Sequence, residues 1–281
     1  MDHIDITLLH DTLLAALRED IGSGDLTSRA TIPPTARASA RYTTKQDLVV
    51  AGIRVAEEIL RLVDSTLEFN TLAADGTSVS AGTPLGEIRG SARSILFAER
   101  TSLNLLQRMC GIATLTRRYA DRVQGTRARI VDTRKTVPGL RILDKYAVSC
   151  GGGLNHRMGL FDGVLIKNNH LAFHSSIARA IQEARQHLGH LVKIEIEVRD
   201  LQQLHGALSA GADVVLLDNF SPAETRKAVE IVAGRIPLES SGGITLETVR
   251  DFAEAGVDYI SIGGLTHSVA AVDIHLRVVP E

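Results

Sequence analysis

The sequence has 281 residues and a formal net charge of -2 at pH 7. With 44% hydrophobic and 23% charged residues, it has the composition of a folded globular protein of one large or two ordinary domains. No uncharged apolar run is long enough to span a bilayer, and the acidic N-terminal segment lacks the basic and apolar sections of a signal peptide. We therefore expect a cytoplasmic protein. The two cysteines, Cys110 and Cys150, indicate neither a disulfide framework nor a structural zinc site, and we expect buried thiols.

The first hundred residues show an α+β pattern. Leucines at helical spacing follow Ile6, and a second helix is predicted near residues 55–62. Short strands are predicted around it at 38–43, 66–70 and 84–88. A long helical stretch begins near Ser91 and continues past Gly111 to about Val123, and we expect it to link two domains.

Strands and helices alternate regularly after about residue 125, which predicts right-handed βαβ units and a parallel sheet. The predicted strands are 128–132, 163–166, 193–198, 213–217, 236–239 and 258–262. An eight-unit barrel typically needs about 250 residues, more than this half contains. The alternatives are a reduced barrel of about six strands and an open doubly wound sheet. Polar residues at the carboxyl ends of the strands favour the barrel, since barrel enzymes place their chemistry there.

Cations are concentrated between Thr133 and His170, although the chain as a whole is slightly acidic. This segment holds six Lys or Arg residues and two His residues against two Asp residues. Glycines among them allow the backbone to approach a ligand closely. The pattern predicts a small, strongly anionic substrate. It does not indicate nucleic-acid binding, because aromatic residues are scarce and the cations form no open stripe.

Two carboxylates, Glu197 and Asp218, end successive predicted strands and could converge above the sheet. There they would suit Mg²⁺ carrying a polyphosphate, or would stabilise a cationic transition state. Glu197 could instead belong to a structural salt bridge, since Glu195 lies on the same face of the strand. Asp218 could instead be the N-cap of a helix beginning near Pro222.

Lys167 ends an apolar predicted strand, and its position at a barrel mouth favours a functional role over that of an ordinary surface lysine. It could hold a substrate carboxylate or act as a Schiff-base nucleophile. Glycine pairs follow the last two strands, in Ser241–Thr245 and Ser261–Gly264. Such loops bind phosphate in many barrels, although glycine pairs also occur as simple turns.

Longer motifs containing these residues occur in order along nearly the whole chain, at 19–27, 99–104, 133–141, 151–157, 166–170, 217–220, 239–243 and 261–267. Through them the sequence resembles the quinolinate phosphoribosyltransferase family, the decarboxylating nicotinate-nucleotide pyrophosphorylases. The resemblance implies an N-terminal α+β open sandwich over 1–110 and a reduced α/β barrel over 111–269. From the organisation of the chain we expect the C-terminal segment 270–281 to pack on the N-terminal domain. The resemblance also implies a homodimer, with the N-terminal domain of one subunit covering the barrel mouth of the other, and possible higher assembly.

The activity implied by the resemblance is transfer of phosphoribosyl from phosphoribosyl pyrophosphate to quinolinate with decarboxylation. It implies Mg²⁺ but no organic cofactor, and no nucleic-acid or membrane partner. The implied catalytic residues are Lys135, Lys167, Glu197 and Asp218. The residues implied for the quinolinate carboxylates are Arg134, His156, Arg157 and Lys167, with Arg100 of the partner subunit. Those implied for phosphoribosyl pyrophosphate and Mg²⁺ are Lys135, Glu197 and Asp218. Those implied for the 5-phosphate are Ser241, Gly242, Gly243, Gly263 and Gly264, with His267 in the same loop.

The sequence leaves three alternative functions open. A paralogous protein of molybdate-transport loci belongs to the same family, but the segments 155–157 and 167–170 are more like the quinolinate enzyme. A Schiff-base lyase would use Lys167. A phosphate-ligand sensor would bind without turnover.

Overall fold

The computed structural model describes residues 5–281. Its chain forms two compact units: unit 1 contains the described residues up to 117 with 136–152 and 265–281, and unit 2 contains 118–135 and 153–264. The domain boundaries expected near residues 110 and 269 stay predictions. Residues 1–4, part of the segment expected to lack a signal peptide, lie outside the described residues. Within residues 5–281, no helix combines the length and apolarity that a membrane span requires.

Unit 1 is built on an antiparallel four-stranded sheet of order β12-β1-β5-β3, which confirms the α+β prediction. Its strands are β1 (Arg37–Thr44), β3 (Glu68–Thr71), β5 (Pro84–Ser91) and β12 (Ile274–Pro280), and a separate pair is formed by β2 (Leu48–Val49) and β4 (Ser78–Val79). Because β12 pairs with β1 along its whole length, the C-terminal end of the chain completes this sheet.

The helical elements of unit 1 include a 3₁₀ helix, Ile6–Leu9, followed by α1 (His10–Ile21), α2 (Leu26–Thr31), α3 (Ile53–Val63) and α5 (Arg141–Cys150). The long helix α4 (Ala92–Arg122) contributes residues to both units. Gly111 lies inside α4, where a Cβ atom would collide with the backbone carbonyl of Ala270. Glycine is therefore required there by close backbone approach and not by a break in the helix. Both cysteines are buried free thiols, as expected, and burial raises the pKa of each to about 12.

Unit 2 contains six parallel strands in the order β6-β11-β10-β9-β8-β7. The strands are β6 (Arg129–Val131), β7 (Val164–Ile166), β8 (Ile194–Val198), β9 (Val214–Asp218), β10 (Leu238–Ser241) and β11 (Tyr259–Ser261). The helices after β7 are α6 (Asn168–Leu171), α7 (Ile177–His187), α8 (Leu201–Ser209), α9 (Pro222–Val232), α10 (Val249–Ala255) and α11 (Gly264–His267).

The first and last strands of this series, β6 and β11, are hydrogen-bonded neighbours. A doubly wound sheet reverses its strand order in the middle, whereas a singly wound barrel brings its first and last strands together. The observed order is therefore that of a reduced barrel, as predicted. No ladder joins β6 to β7 within residues 5–281, so the sheet is open at that point. Strands such as β9 are apolar and buried, which is typical of parallel strands covered on both faces.

Candidate active site

Strand register places several carboxylates of unit 2 on one face of the sheet. Glu197 of β8 pairs with Leu216 of β9, and Leu216 pairs with Glu239 of β10. Paired residues of parallel strands project to the same side, and side chains alternate along each strand. The same face therefore carries Glu195, Glu197, Asp218, Glu239 and Ser241.

Lys167 and Glu197 lie together at the carboxyl ends of β7 and β8. Nζ of Lys167 is 3.9 Å from Oε2 of Glu197, and the amide of Asn168 donates to Oε1 of the same carboxylate. The Lys167 side chain is 49% exposed. A Schiff-base lysine must be neutral and is normally desolvated or placed beside another cation. The carboxylate neighbour and the exposure of Lys167 favour a charged ammonium that binds anions.

Asp218 ends β9, where Oδ1 accepts from the Asn219 amide at 2.9 Å and Oδ2 lies 3.6 Å from Nε of Arg199. The alternative in which Asp218 caps the following helix is wrong. Ser221 is the N-cap of α9, and it forms a capping box with Glu224. Asp218 therefore remains at the strand end beside Glu197, where the sequence predicted a pair of functional carboxylates.

His156 lies deeper, among carboxylates that sequence reasoning did not assign to the site. Its Nε2 is 2.9 Å from Oε2 of Glu195 and 3.9 Å from Oε2 of Glu239. Asp132, which is fully buried, accepts from the His156 backbone N–H at 2.8 Å and from the Asn155 amide at 2.7 Å. One feature of the sequence could have indicated these carboxylates: a glutamate inside an otherwise apolar strand, as in Ile194–Val198. A glutamate is rarely buried unless it is paired, so such a position predicts a partner.

The hydrogen bonds of His156 define the position of its ring proton. The backbone N–H of Arg157 donates to Nδ1 at 2.7 Å, so Nδ1 must be an acceptor. The proton of the neutral ring is thereby assigned to Nε2, which donates to Glu195.

Donor atoms of His156, Glu195 and Glu239 lie within 4.8 Å of one another, which makes the group a conceivable metal site. A histidine that binds a metal through one nitrogen almost always donates a proton from the other. Here that other nitrogen, Nδ1, accepts a hydrogen bond from the backbone N–H of Arg157 and so has no proton to donate. The arrangement therefore suits a histidine that is hydrogen-bonded to Glu195 better than a metal centre.

Glu239 is the most perturbed acid of this group. Burial, followed by the negative charge of Glu195, raises the pKa of Glu239 from 4.5 to about 7. The nearby imidazole of His156 and a hydrogen bond from Ser261 lower this pKa and so act in the opposite direction. Near neutral pH, Glu239 therefore exchanges between a protonated and a charged form.

Two guanidinium groups of the predicted cluster, those of Arg134 and Arg157, lie close enough to repel each other. Burial lowers the pKa of Arg157, and the charge of Arg134 lowers it further. Nη1 of Arg157 donates to the carbonyl of Gly163 at 2.8 Å, which fixes the side chain in this unfavourable field. Such a pair is suited to a ligand with two negative charges, because each carboxylate could accept charge-assisted hydrogen bonds.

The loop after β10 contains two successive glycines with positive φ, Gly242 at 105° and Gly243 at 62°. The backbone N–H of Asn219 donates to the carbonyl of Ser241 at 2.8 Å, which brings the end of β9 against this loop. Glycine backbone in such conformations can form an anion-binding concavity. The second predicted phosphate loop, containing Gly263, follows β11 directly and leads into α11 at Gly264.

Most of the predicted site residues belong to unit 2, including Lys135, whose side chain is exposed. Arg100 and His267 are the exceptions, since both belong to unit 1. Both are exposed. Their assignments therefore continue to depend on the family resemblance.

Family models for quinolinate phosphoribosyl transferase match both halves of the chain: the N-terminal domain over residues 25–110 and the C-terminal domain over residues 112–277. The chain belongs to the quinolinate phosphoribosyltransferase family. This confirms the resemblance carried by the sequence motifs.

Relatives within the quinolinate phosphoribosyltransferase family match over most of their length. A probable nicotinate-nucleotide pyrophosphorylase of Bacillus subtilis is 44% identical over 92% of this chain and 90% of its own. The nicotinate-nucleotide pyrophosphorylase of Mycobacterium leprae is 44% identical over 95% of each chain. The crystal structure of NadC from Streptococcus pyogenes matches with a TM-score of 0.96 at 36% identity, covering all of both chains. The predicted fold class is therefore confirmed by solved structures as well.

Proposed function

We propose that this protein transfers the phosphoribosyl group of phosphoribosyl pyrophosphate to quinolinate, with decarboxylation, in NAD biosynthesis. The products are nicotinate mononucleotide, pyrophosphate and CO₂. The observation that carries the proposal is the electrostatic repulsion between Arg134 and Arg157 in the unit that also holds Lys167 at a strand end. A small ligand with two adjacent carboxylates suits that arrangement. Membership of the family supports the same reaction.

Quinolinate binding is assigned to Arg134, His156, Arg157 and Lys167. The arginines can hold carboxylates through two parallel hydrogen bonds, while the ammonium of Lys167 acts as a point charge. Both ring nitrogens of His156 have partners within the protein. Its contribution to quinolinate binding is therefore expected through the arrangement of its neighbours as well as through direct contact.

Phosphoribosyl pyrophosphate is assigned to Lys135, Glu197 and Asp218, with its 5-phosphate in the loops around Ser241–Gly243 and Gly263–Gly264. The carboxylates at the ends of β8 and β9 offer hard oxygen donors, which fits Mg²⁺ binding by one or two carboxylates together with substrate phosphates. When bound, Mg²⁺ would neutralise charge on the pyrophosphate. We propose this metal requirement with no organic cofactor.

The reaction needs positioning and electrostatics more than covalent catalysis. The quinolinate nitrogen attacks the anomeric carbon, the bond from that carbon to pyrophosphate breaks, and the ribose passes through a state with oxocarbenium character that carboxylates can stabilise. The ring then carries a positively charged nitrogen. Loss of the adjacent carboxylate as CO₂ leaves an electron pair beside this nitrogen, and a proton from the site or solvent replaces CO₂.

We further propose that the protein acts in the cytoplasm as a homodimer. Arg100 of the partner subunit would contribute to each quinolinate site. The exposure of Arg100 is compatible with such a contact.

A direct assay tests the proposed reaction. Purified protein is incubated with quinolinate, phosphoribosyl pyrophosphate and Mg²⁺, and nicotinate mononucleotide and CO₂ are measured. Nicotinic acid replaces quinolinate as the control, because it lacks the carboxylate that is lost. Absence of the mononucleotide, or equal use of nicotinic acid, would contradict the proposal.

A further inference from the structure

Glu195 occupies the strand position directly below Glu197, yet it is buried where Glu197 is only partly covered. A buried carboxylate is costly unless it is paired or hydrogen-bonded. Its assigned contact is the proton on Nε2 of His156, at 2.9 Å. Glu195 therefore acts as a hydrogen-bond acceptor for the histidine ring. It is not one of the two carboxylates, Glu197 and Asp218, that are predicted to bind the metal.

The His156 ring in turn supports the backbone of the next residue, Arg157. Nδ1 can accept the Arg157 N–H only while the ring proton is on Nε2. If the proton moved to Nδ1, two N–H groups would face each other at 2.7 Å. The Nε2–H form is favoured by an acceptor beside it, and Glu195 supplies that acceptor.

We propose that Glu195 is a positioning residue for quinolinate: by selecting the Nε2–H tautomer of His156, it holds Arg157 beside Arg134. The inference rests on the proposed function for the identity of the ligand. Asp132 reinforces the same turn, because it accepts hydrogen bonds from the His156 backbone and the Asn155 amide. The negative charge of Glu195 also opposes the lowering of the Arg157 pKa by burial and by Arg134.

Two substitutions separate this role from simple stabilisation. Glu195→Gln retains a side-chain oxygen that can accept from Nε2, whereas Glu195→Ala removes the acceptor. We expect Glu195→Ala to raise the dissociation constant for quinolinate about ten-fold or more, as for loss of a hydrogen bond to a charged group. Glu195→Gln should recover most of this affinity, and phosphoribosyl pyrophosphate binding should change less than about two-fold in both variants.

Ile196→Val provides the matched control. Ile196 is the next residue of β8, is fully buried, and projects to the opposite face of the sheet. This variant should lose some stability and keep its affinity for both substrates. Calorimetry of each ligand and urea unfolding of each variant supply the comparison.

The ring tautomer offers a readout that does not depend on substrate. Nitrogen NMR of the imidazole should show the proton on Nε2 in the wild type and in Glu195→Gln, and a shift towards Nδ1 in Glu195→Ala. A wild-type His156 protonated on Nδ1 would overturn the inference even if Glu195→Ala failed to fold. So would equal losses of both substrates, or a glutamine variant as defective as the alanine variant. Failure of the wild type to bind quinolinate, with the expected tautomer present, would instead refute the proposed function and leave the positioning of His156 supported.

Discussion

Gly242 faces the side chain of Asn219 so closely that a Cβ atom on Gly242 would overlap Oδ1 of Asn219. The φ of Gly242 is also 105°, a conformation that residues with side chains rarely adopt. Asn219 itself follows Asp218 and donates its backbone N–H to the carbonyl of Ser241. The predicted phosphate loop can therefore lie this close to the end of β9 only because residue 242 has no side chain.

Gly242→Ala is expected to weaken phosphoribosyl pyrophosphate binding by at least about ten-fold, because both the steric conflict and the φ strain displace the loop. Quinolinate binding should change much less. Calorimetry with each substrate checks this. Gly189→Ala is the control, since a Cβ atom there meets nothing within 4 Å. An unchanged affinity for phosphoribosyl pyrophosphate would remove the loop from the site.

Lys167→Ala should weaken quinolinate binding and turnover while leaving phosphoribosyl pyrophosphate binding nearly intact. Loss of one charge-assisted contact in a desolvated complex should cost about 2 to 4 kcal/mol. Titration calorimetry separates the two ligands. Lys193→Ala is a suitable control, because this exposed lysine precedes β8 at the opposite end of the strand. Equal losses for both substrates would show that Lys167 has been assigned to the wrong group.

Activity should require Mg²⁺ or Mn²⁺, since a pyrophosphate leaving group held by lysine and arginine alone would retain too much charge. Removing divalent ions with excess chelator should abolish turnover, and adding Mg²⁺ back should restore it. Asp218→Asn should raise the Mg²⁺ concentration needed for half-maximal rate. Full activity in excess chelator would refute the requirement for a divalent metal ion and the role proposed for Glu197 and Asp218.

Arg100 should act across the proposed dimer. Arg100→Ala and Lys167→Ala homodimers should each be nearly inactive, because every site would lack one cation. Unfolding and refolding the two variants together should restore about a quarter of wild-type activity, since half the dimers are mixed and each mixed dimer has one intact site. If mixed dimers form and remain as inactive as their parents, Arg100 does not act in trans.

Glu239 predicts a specific dependence of stability on pH. Burial and the charge of Glu195 raise its pKa from 4.5 to about 7, so the folded protein holds this proton more tightly than the unfolded chain. The stabilising contribution is complete below about pH 4.5 and is lost as the pH rises to about 7. Glu239→Gln should lack this loss. Its free energy of unfolding, relative to wild type, should rise by roughly 1 to 3 kcal/mol between pH 5 and 8.

Urea unfolding across that pH range measures the effect. Glu254→Gln is the control, because the Glu254 side chain is 52% exposed in a surface ion pair with Arg250. If the difference in free energy of unfolding between Glu239→Gln and wild type stays constant with pH, Glu239 does not titrate in this interval.

Local sequence patterns were sufficient for the six strands of unit 2 and for β1, β3 and β5 of unit 1, whereas the strands β2, β4 and β12 were not predicted. Apolar runs such as that of β9 end at polar residues, and alternation of strands with helices requires parallel neighbours. The strand predictions lie within a few residues of the observed bounds, and Lys167, Glu197 and Asp218 were found because each follows such a run. The family itself could be identified because its motifs are contiguous in the chain.

Only the tertiary structure decided which side chains meet. His156 follows an irregular segment, while Glu195 and Glu239 come from strands separated by β9, so no sequence spacing encodes their contact. The same holds for the pairing of β6 with β11, which distinguishes a reduced barrel from an open sheet. The sequence left a second role open for Asp218, as the N-cap of α9, because aspartate is a good capping residue. The structure gives that position to Ser221, and the choice depends on where β9 ends. Periodicity is a local property of the chain, whereas these contacts depend on strand register and burial, which are set only when distant segments pack together.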